Sequence, residues 1–471
     1  MLDKIIAFSI KNKFIIGLMT ITLVIWGAWS ATKLPIDALP DITNNQVQII
    51  TLCPTLAGQE VEQLVTYPIE QSVANLPDLE ELRSISRFGL SVITVVFKDK
   101  VDIYFARQLI NEKLKEAEEK IPDGIGTPEL APVSTGLGEI YQYIIHPKKG
   151  SESKYTAMDL RTMQDWIVAR QLYGTPGIAE VNSFGGQLKQ YEVAIDPQRL
   201  QANNTDIEEV FKALANNNEN TGGAYIERGP GVLNIRTEGL LHSLDDISKV
   251  VIKTTNSGVP LLVGDVATVK EGEATRFGAL SYNGKGETVG AVVMMLKGAN
   301  SSAVIKNVKE LMATLEKKDF PKGMHYEVSY DASRFLDASI EKVVHTLFEA
   351  FILVAIVVFL FLGDWRSTII PTIAVPVSLI GTFAVMSAFG ITLNLISLFA
   401  LVMAIGIVVD DAIVVIEAVH AKMEEKHLSP LKATEEAMHE ISGAIIAITL
   451  VMASVFIPVA FMSGPVGVFY R

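Results

Sequence analysis

The chain has 471 residues, 49% of them hydrophobic and 20% charged, with a formal net charge of −13. That balance is too apolar for an ordinary soluble protein and too charged for a pure membrane bundle, and the acidity argues against nucleic acid as a partner. Its single cysteine, Cys53, excludes an internal disulfide framework. The negative charge mildly favours cationic ligands, beside the plainer reading of a solubility surface.

At the N-terminus, "MLDKIIAFSIKNK" puts Lys4, Lys11 and Lys13 before the apolar run Phe14 to Ala31. The run meets the roughly 17–25 residues needed to cross a bilayer. No A-x-A-like cleavage site follows, so an uncleaved anchor is expected, its N-terminus held in the cytoplasm by the lysines.

Residues 35–330 contain no comparable run and alternate strand-like and helix-like patterns. "NNQVQIITL" reads as a strand and "GQEVEQLVTYPIEQSVANL" as a helix. "LEELRSISR" and "LSVITVVF" pair as a hairpin. "DIYFARQLINEKLKEAEEKI" is a second helix with Phe105, Leu109, Ile110 and Leu114 on one face. "EIYQYIIH" supplies the final strand, and the order βαββαβ is the split ferredoxin-like unit. A similar unit starts at Glu139, runs through "LRTMQDWIVARQLYGTPGIAEVNSFGG", and resumes with "GETVGAVVMMLK", "SSAVIKNVKELMATLEK" and "MHYEVSY". The Gly- and Asn-rich stretch between them, about 182–274, reads as an inserted subdomain. The duplication is inferred from pattern and not from residue identity.

Four more spans follow: Val343 to Leu362, Ile369 to Phe389, Thr392 to Val419 and Ala444 to Phe461. Parity places Arg366 and the amphipathic "HAKMEEKHLSPLKATEEAMHEIS" in the cytoplasm, and residues 33–341 outside the membrane as one large block. Pro371, Pro376 and Pro458 fall within these spans, as neighbouring helices in a bundle permit.

One span holds "AIGIVVDDAIVVIEA", with Asp410 and Asp411 adjacent and Glu417 two turns on. A charge near the bilayer centre costs roughly 2.5–3.5 kcal/mol on insertion scales, so these acids are expected to face helices or a water-filled crevice. Successive helical residues are about 100° apart, so the two aspartates diverge while Asp410 and Glu417 share a face. Adjacent carboxylates in low dielectric do not both ionise cheaply without a cation, and they titrate as a coupled unit. Asp410 and Asp411 are therefore read as a proton-relay pair. The alternative is a pair held by interhelical salt bridges, and Glu417 either joins the relay or snorkels. An intramembrane aspartyl protease is disfavoured, because its two acids must converge from different segments on one water. No CxxC, HxxxH or Met cluster marks a soft-metal site, and no Walker motif marks ATP use.

The strings "KLPIDALPDITNNQVQI", "ISRFGLSVITVVF", "DIYFARQLINEKL", "STGLGEIYQY", "LRTMQDWIV", "PGIAEVNSFGG" and "LKGANSS" resemble the heavy-metal (cobalt-zinc-cadmium and copper-silver) branch of the resistance-nodulation-division (RND) efflux pumps. "FLGDWRSTIIPTIAVPVSLIGTFAVM" and "LFALVMAIGIVVDDAIVVIEAV" look like the hydrophobe/drug branch of that superfamily. Metal-branch pumps usually carry an Asp where Ala404 stands and a Gly where Asp411 stands, so the proton machinery resembles the drug type. The resemblance covers the whole chain and implies a mixed fold. A helical transmembrane bundle would carry a large periplasmic α+β region of duplicated ferredoxin-like porter subdomains and an inserted docking subdomain. The implied domains are 1–34 (an amphipathic segment and the first span), 35–134 (first porter unit), 135–181 with 275–330 (second porter unit), 182–274 (docking insertion) and 331–471 (spans two to five and the start of a sixth at "SGPVGVFYR"). A cytoplasmic helix is expected at about 420–441.

The implied function is the N-terminal half of a proton antiporter, not an enzyme. It would export divalent metal cations, with amphiphilic organic compounds as the alternative cargo, and would need no cofactor. A non-transporting sterol-sensing or secretion-assisting relative of the membrane fold is a further alternative, against which the porter-like duplication argues. The implied setting is a bacterial inner membrane, and the implied partners are a homotrimer, a periplasmic adaptor and an outer-membrane channel. The absent C-terminal half would bring a lysine facing the aspartates. Glu139 in "GLGEI" and Asp165 in "MQDWIV" match acidic positions of the cation-binding cleft in zinc-type pumps, and carboxylates suit borderline divalent cations better than Cu(I).

Overall fold

A computed structural model describes residues 2–36, 41–254, 258–276, 278–284, 286–462 and 467. Helices α1 (Leu2–Lys11) and α2 (Lys13–Ala31) lead into strand β1 (Gln46–Leu52), which buries every second residue from Val47 to Thr51. The helical run after it comprises α3 (Gly58–Val61), a π-helical stretch (Glu62–Thr66) and α4 (Tyr67–Val73). Strands β2 (Leu79–Arg87) and β3 (Leu90–Phe97) form the expected hairpin, with Gly89 at φ 72° in its turn. Helix α5 (Ile103–Glu118) starts at Asp102, whose carboxylate accepts from the Tyr104 and Phe105 amides. It buries Ala106, Ile110, Leu114 and Ala117, while Phe105 is exposed and Leu109 only packs at the edge of the core.

The strand that completes this sheet is β4 (Pro128–Leu130), antiparallel to β1, and the order is β2-β3-β1-β4. "EIYQYIIH" belongs instead to β5 (Ser134–Pro147), in a second sheet. A three-residue edge strand containing proline gives almost no sequence signal, whereas β5 is long and strongly alternating.

From β5 the chain enters α6 (Ala157–Met163), a second π-helical stretch (Gln164–Ala169) and α7 (Arg170–Leu172), then β6 (Ile178–Gly185). It departs through β7 (Lys189–Ile195), α8 (Pro197–Ala202), α9 (Ile207–Asn216), the hairpin β8 (Thr221–Arg228) and β9 (Gly231–Thr237), α10 (Leu244–Ser248), β10 (Val251–Thr254), β11 (Pro260–Leu262) and α11 (Val263–Val266). The return is through β12 (Ala267–Glu273), paired antiparallel with β7. This excursion has its own core around Leu200, Val210, Val263 and Val266. It leaves after Gly185 and not at 182, because Asn182 still pairs with Val292 in the second sheet.

Short β13 (Leu280–Ser281), then β14 (Glu287–Leu296), α12 (Ser301–Lys318) and β15 (Met324–Asp331) complete that sheet. In it β14 pairs with β6 and β5, and β5 pairs with β15, all antiparallel. With the two-residue β13, which pairs with β14, set aside, each sheet has its strands in the order second, third, first, fourth, with a helical run after the first strand and another after the third. In each, the first helical run carries the π-helical stretch.

Asp331 ends β15 and caps α13 (Ala332–Leu362), so strand and long helix share one residue as their joint. Helices α14 (Trp365–Phe389), α15 (Leu395–Lys426) and α16 (Pro430–Ala460) follow. Together with α2 and α13 they make five helices long and apolar enough to cross a membrane. Gly363 and Gly390 end α13 and α14 in the left-handed conformation, which spares them a Cβ clash. The turn between α14 and α15 meets the sheets' side, where the Leu393 amide donates to the Pro35 carbonyl at 2.9 Å. The turns at 363–364 and 427–429 lie at the opposite end. The expected separate helix at 420–441 is not formed: α15 runs to Lys426, His427 turns left-handed at φ 51°, and α16 restarts at Pro430. Proline favours the first position of a new helix and disfavours continuation of the old one. Apart from Gly467, "SGPVGVFYR" lies outside the described residues, as do residues 37–40 of "KLPIDALPDITNNQVQI".

Candidate functional site

Helix α15 begins with a capping box in which Asn394 Oδ1 accepts from the Ile396 and Ser397 amides at 3.0 and 2.9 Å. Its packed ridge is Leu398, Leu401, Ile405, Val409 and Ile416. Ile405 and Val409 meet Val358 of α13 and Val375 of α14. Asp410 follows Val409 of that ridge by one residue, a rotation of about 100°, and it is exposed, while Asp411 is half-buried. Glu417 is exposed on the same flank as Asp410. Among the described residues neither aspartate, nor Glu417, has a hydrogen-bond or ion-pair partner. Asp410 and Glu417 point away from the ridge that meets α13 and α14. They lie on a flank that α13 and α14 leave open, since those helices occupy the Leu401–Ile405–Val409 ridge.

The far end of α15 is tied down. His420 Nε2 is 2.8 Å from Ser367 Oγ, and Ser367 Oγ donates to Asp364 Oδ2 at 2.9 Å. Asp364 also caps α14 through the Arg366 and Ser367 amides. The Ser367 hydroxyl and then those amides hold the Asp364 carboxyl below the usual carboxylate range. Lys422 and Lys426 pair with Glu440 and Glu436 of α16.

A cleft of about 850 Å³ lies where the two sheets meet the helices. Glu139 lines it together with Asp41, Asp99, Asp102 and Lys297, and the ends of α13 and α16 close it through Leu336 and Ala460. Lys297 lies 4.0 Å from Asp41, and Glu139 Oε2 accepts from Gln142 Nε2 at 3.4 Å. Asp165 lies elsewhere, in the second π-helical stretch, ion-paired with Arg161 at 2.7 Å and lining a separate hollow with Trp166, Lys189 and Tyr191. The structure does not bring Glu139 and Asp165 into one cavity. No group of three or more His, Cys, Asp or Glu side chains among the described residues is arranged to hold a metal ion.

Sequence reasoning missed the joint between strand and helix. Asp331, 8% exposed, receives Lys309 Nζ at 2.6 Å and the Ser333 hydroxyl and amide at 2.7 and 3.0 Å. Burial alone would push its carboxyl up, but the Lys309 ammonium and Ser333 outweigh that and hold it below the usual range. The pattern "SYDASRF" carries an N-cap signal for Asp331, whereas nothing local announces Lys309 as its partner.

A model of the AcrB/AcrD/AcrF family matches residues 5–471. The cation efflux system protein CzcA of Alcaligenes sp. (strain CT14) is 39% identical over 99% of this chain and 45% of its own length. The cation efflux system protein CusA of Escherichia coli (strain K12) is 37% identical, again over 99% of this chain and 45% of its own. A crystal structure of a heavy metal efflux pump superposes with a TM-score of 0.87 at 31% identity, covering 99% of this chain and 45% of the pump. The chain thus spans about 45% of the length of the curated relatives it matches, and the metal-efflux relatives align along its whole course, long apolar helices included.

Proposed function

Because the chain belongs to the AcrB/AcrD/AcrF family of RND transporters, we propose that it is the N-terminal half of an exporter of divalent heavy-metal cations driven by proton antiport. The observation that carries the coupling is the placement of Asp410 and Asp411 halfway along α15, with Asp410 and Glu417 on its uncovered flank. A second half of the pump would cover that flank and bring the lysine that the family resemblance implies. Protonation would then release the acids from that lysine and let the helices shift against one another. The acid-lined cleft beside Glu139 is the entry point for the cation, since hard and borderline divalent ions favour carboxylate oxygen. Asp165 then acts through its ion pair with Arg161 as a second, separate carboxylate on the cargo's path.

We assign the two sheets to duplicated ferredoxin-like porter units at about 35–134 and 135–185 with 275–330, the end of β6 moving the expected boundary from 181 to Gly185, and the excursion between β6 and β13 to a docking subdomain. The shared strand order and the repeated π-helical stretch support this assignment. The α14–α15 turn contacts the sheets' side and the turns at 363–364 and 427–429 lie opposite. This supports a periplasmic porter, a cytoplasmic N-terminus and residence in the bacterial inner membrane. A homotrimer working with a periplasmic adaptor and an outer-membrane channel completes the proposal.

The test is export by the full-length protein in a pump-deficient host challenged with zinc, cobalt, cadmium, copper and silver beside dyes and bile salts. Asp410→Asn and Asp411→Asn should each abolish metal protection at unchanged membrane abundance. Normal efflux from either variant sinks the relay, and protection against dyes with no metal phenotype overturns the choice of cargo.

A further inference from the structure

Along α15, Asp410, Glu417 and His420 follow one another toward the end remote from the sheets. At about 1.5 Å per residue, Glu417 lies roughly 10 Å and His420 roughly 15 Å beyond Asp410 along the axis. The first two lie on the open flank. His420 turns back toward α14, where it meets Ser367 and through it Asp364. Ser367 has one hydroxyl hydrogen and donates it to Asp364 Oδ2, so His420 Nε2 is the donor to Ser367 Oγ. The three side chains form a directional chain, imidazole to hydroxyl to carboxylate, that ends in the exposed turn between α13 and α14.

We propose that His420, Ser367 and Asp364 are the cytoplasmic proton-exchange port of the transporter, a role that rests on the proton-antiport reading above. A proton arriving by way of Glu417 makes His420 an imidazolium. The imidazolium passes its Nε2 proton to Ser367 Oγ as the Ser367 hydroxyl proton moves to Asp364 Oδ2. Imidazolium and carboxylate become neutral imidazole and carboxylic acid, and the acid gives its proton to water. The hydrogen bonds that Asp364 accepts from Ser367 and the α14 amides favour its ionised form, which suits an exit group.

Glu424 follows His420 by one turn on α15. Arg366, at the start of α14, lies over the Trp365 ring. Lys422 on α15 and Glu440 on α16 pair with each other, as do Lys426 and Glu436. The last turn of α13, "FLFL", brings no charge, and α1 packs against α16.

The experiment uses the full-length protein in proteoliposomes, with Zn²⁺ as cargo, a pH dye reporting proton flux, and pH varied only on the face bearing the α13–α14 turn. Wild-type flux should change with that pH. His420→Gln keeps a donor for Ser367 but does not titrate, so it should lose that response and at least tenfold in flux. Ser367→Ala, which breaks the chain and leaves both ends in place, should do the same and serves where His420→Gln fails to assemble. A purely mechanical clip would instead lower the thermal midpoint of the variants and leave the pH profile as in wild type, and that result overturns the port. Zn²⁺ transport without proton flux in the wild type itself would overturn the antiport reading and the port with it. An Asp410→Asn control without flux, beside a His420→Gln variant of wild-type profile, would overturn the port alone.

Discussion

The contacts that decide most at the level of single residues are close approaches and buried charges. Gly27 of α2 faces α14 so closely that a Cβ would stand 2.0 Å from the Ile380 carbonyl oxygen, a backbone atom that does not swing aside. Gly27→Ala should therefore separate the two helices and cost about 1–3 kcal/mol, read as a lower thermal midpoint in detergent. Asp331 gives a pH signature. Its folded-state pKa is depressed, so its contribution to stability is complete above the unfolded carboxylate value of about 3.9 and disappears as pH falls through the lower folded value. Lys309→Met leaves the buried carboxylate with only the exposed Arg334, 3.9 Å away, as a cation. A fully buried broken pair costs about 3–5 kcal/mol, and with Lys309 42% exposed the expected loss is nearer 2 kcal/mol. The loss should be present at pH 7 and fade toward pH 3 as Asp331 is protonated, and a loss independent of pH would exclude the charge as its cause.

At the scale of elements, the two π-helical stretches do equivalent work. In the first, Thr66 turns inward and its hydroxyl lies 2.7 Å from Ser86 Oγ and 2.8 Å from Ser91 Oγ on β2 and β3. In the second, the buried Gln164 accepts from Tyr143 Oη at 2.9 Å and donates to Ser183 Oγ at 3.2 Å on β5 and β6. Each π turn sets a polar side chain against its sheet, where a regular helix would continue an apolar stripe. Gln164→Leu should strand the Tyr143 hydroxyl in the core and cost about 1–3 kcal/mol, measured as a fall in the thermal midpoint of the full-length protein. Periodicity does not announce such turns, because the apolar spacing on either side still reads as an ordinary helix. The same limit explains β4, whose three residues include a proline, and α15, whose end is set by the turn chemistry of His427 and Pro430.

For the whole molecule, the β8–β9 hairpin stands away from every core, with Tyr225, Ile226, Val232, Leu233 and Ile235 exposed. An apolar arm of this kind calls for a partner surface, and under the trimeric proposal that surface is a neighbouring subunit. Ile226→Asp with Leu233→Asp should shift the detergent-solubilised protein from trimer toward monomer in light scattering, and an unchanged mass would assign the arm to another partner. The sequence alone determined the long apolar helices, the alternation of strands and helices before them, the insertion within the second unit, and the adjacent acids of α15. These rest on local period and composition, which any stretch of chain displays by itself. Only the tertiary structure decided that β5 opens the second sheet, that Asp410 looks away from α13 and α14, that Glu139 and Asp165 line different cavities, and that His420 reaches Ser367. Those facts depend on which faces meet after distant segments pack, and a face acquires its neighbour only when the whole core has formed.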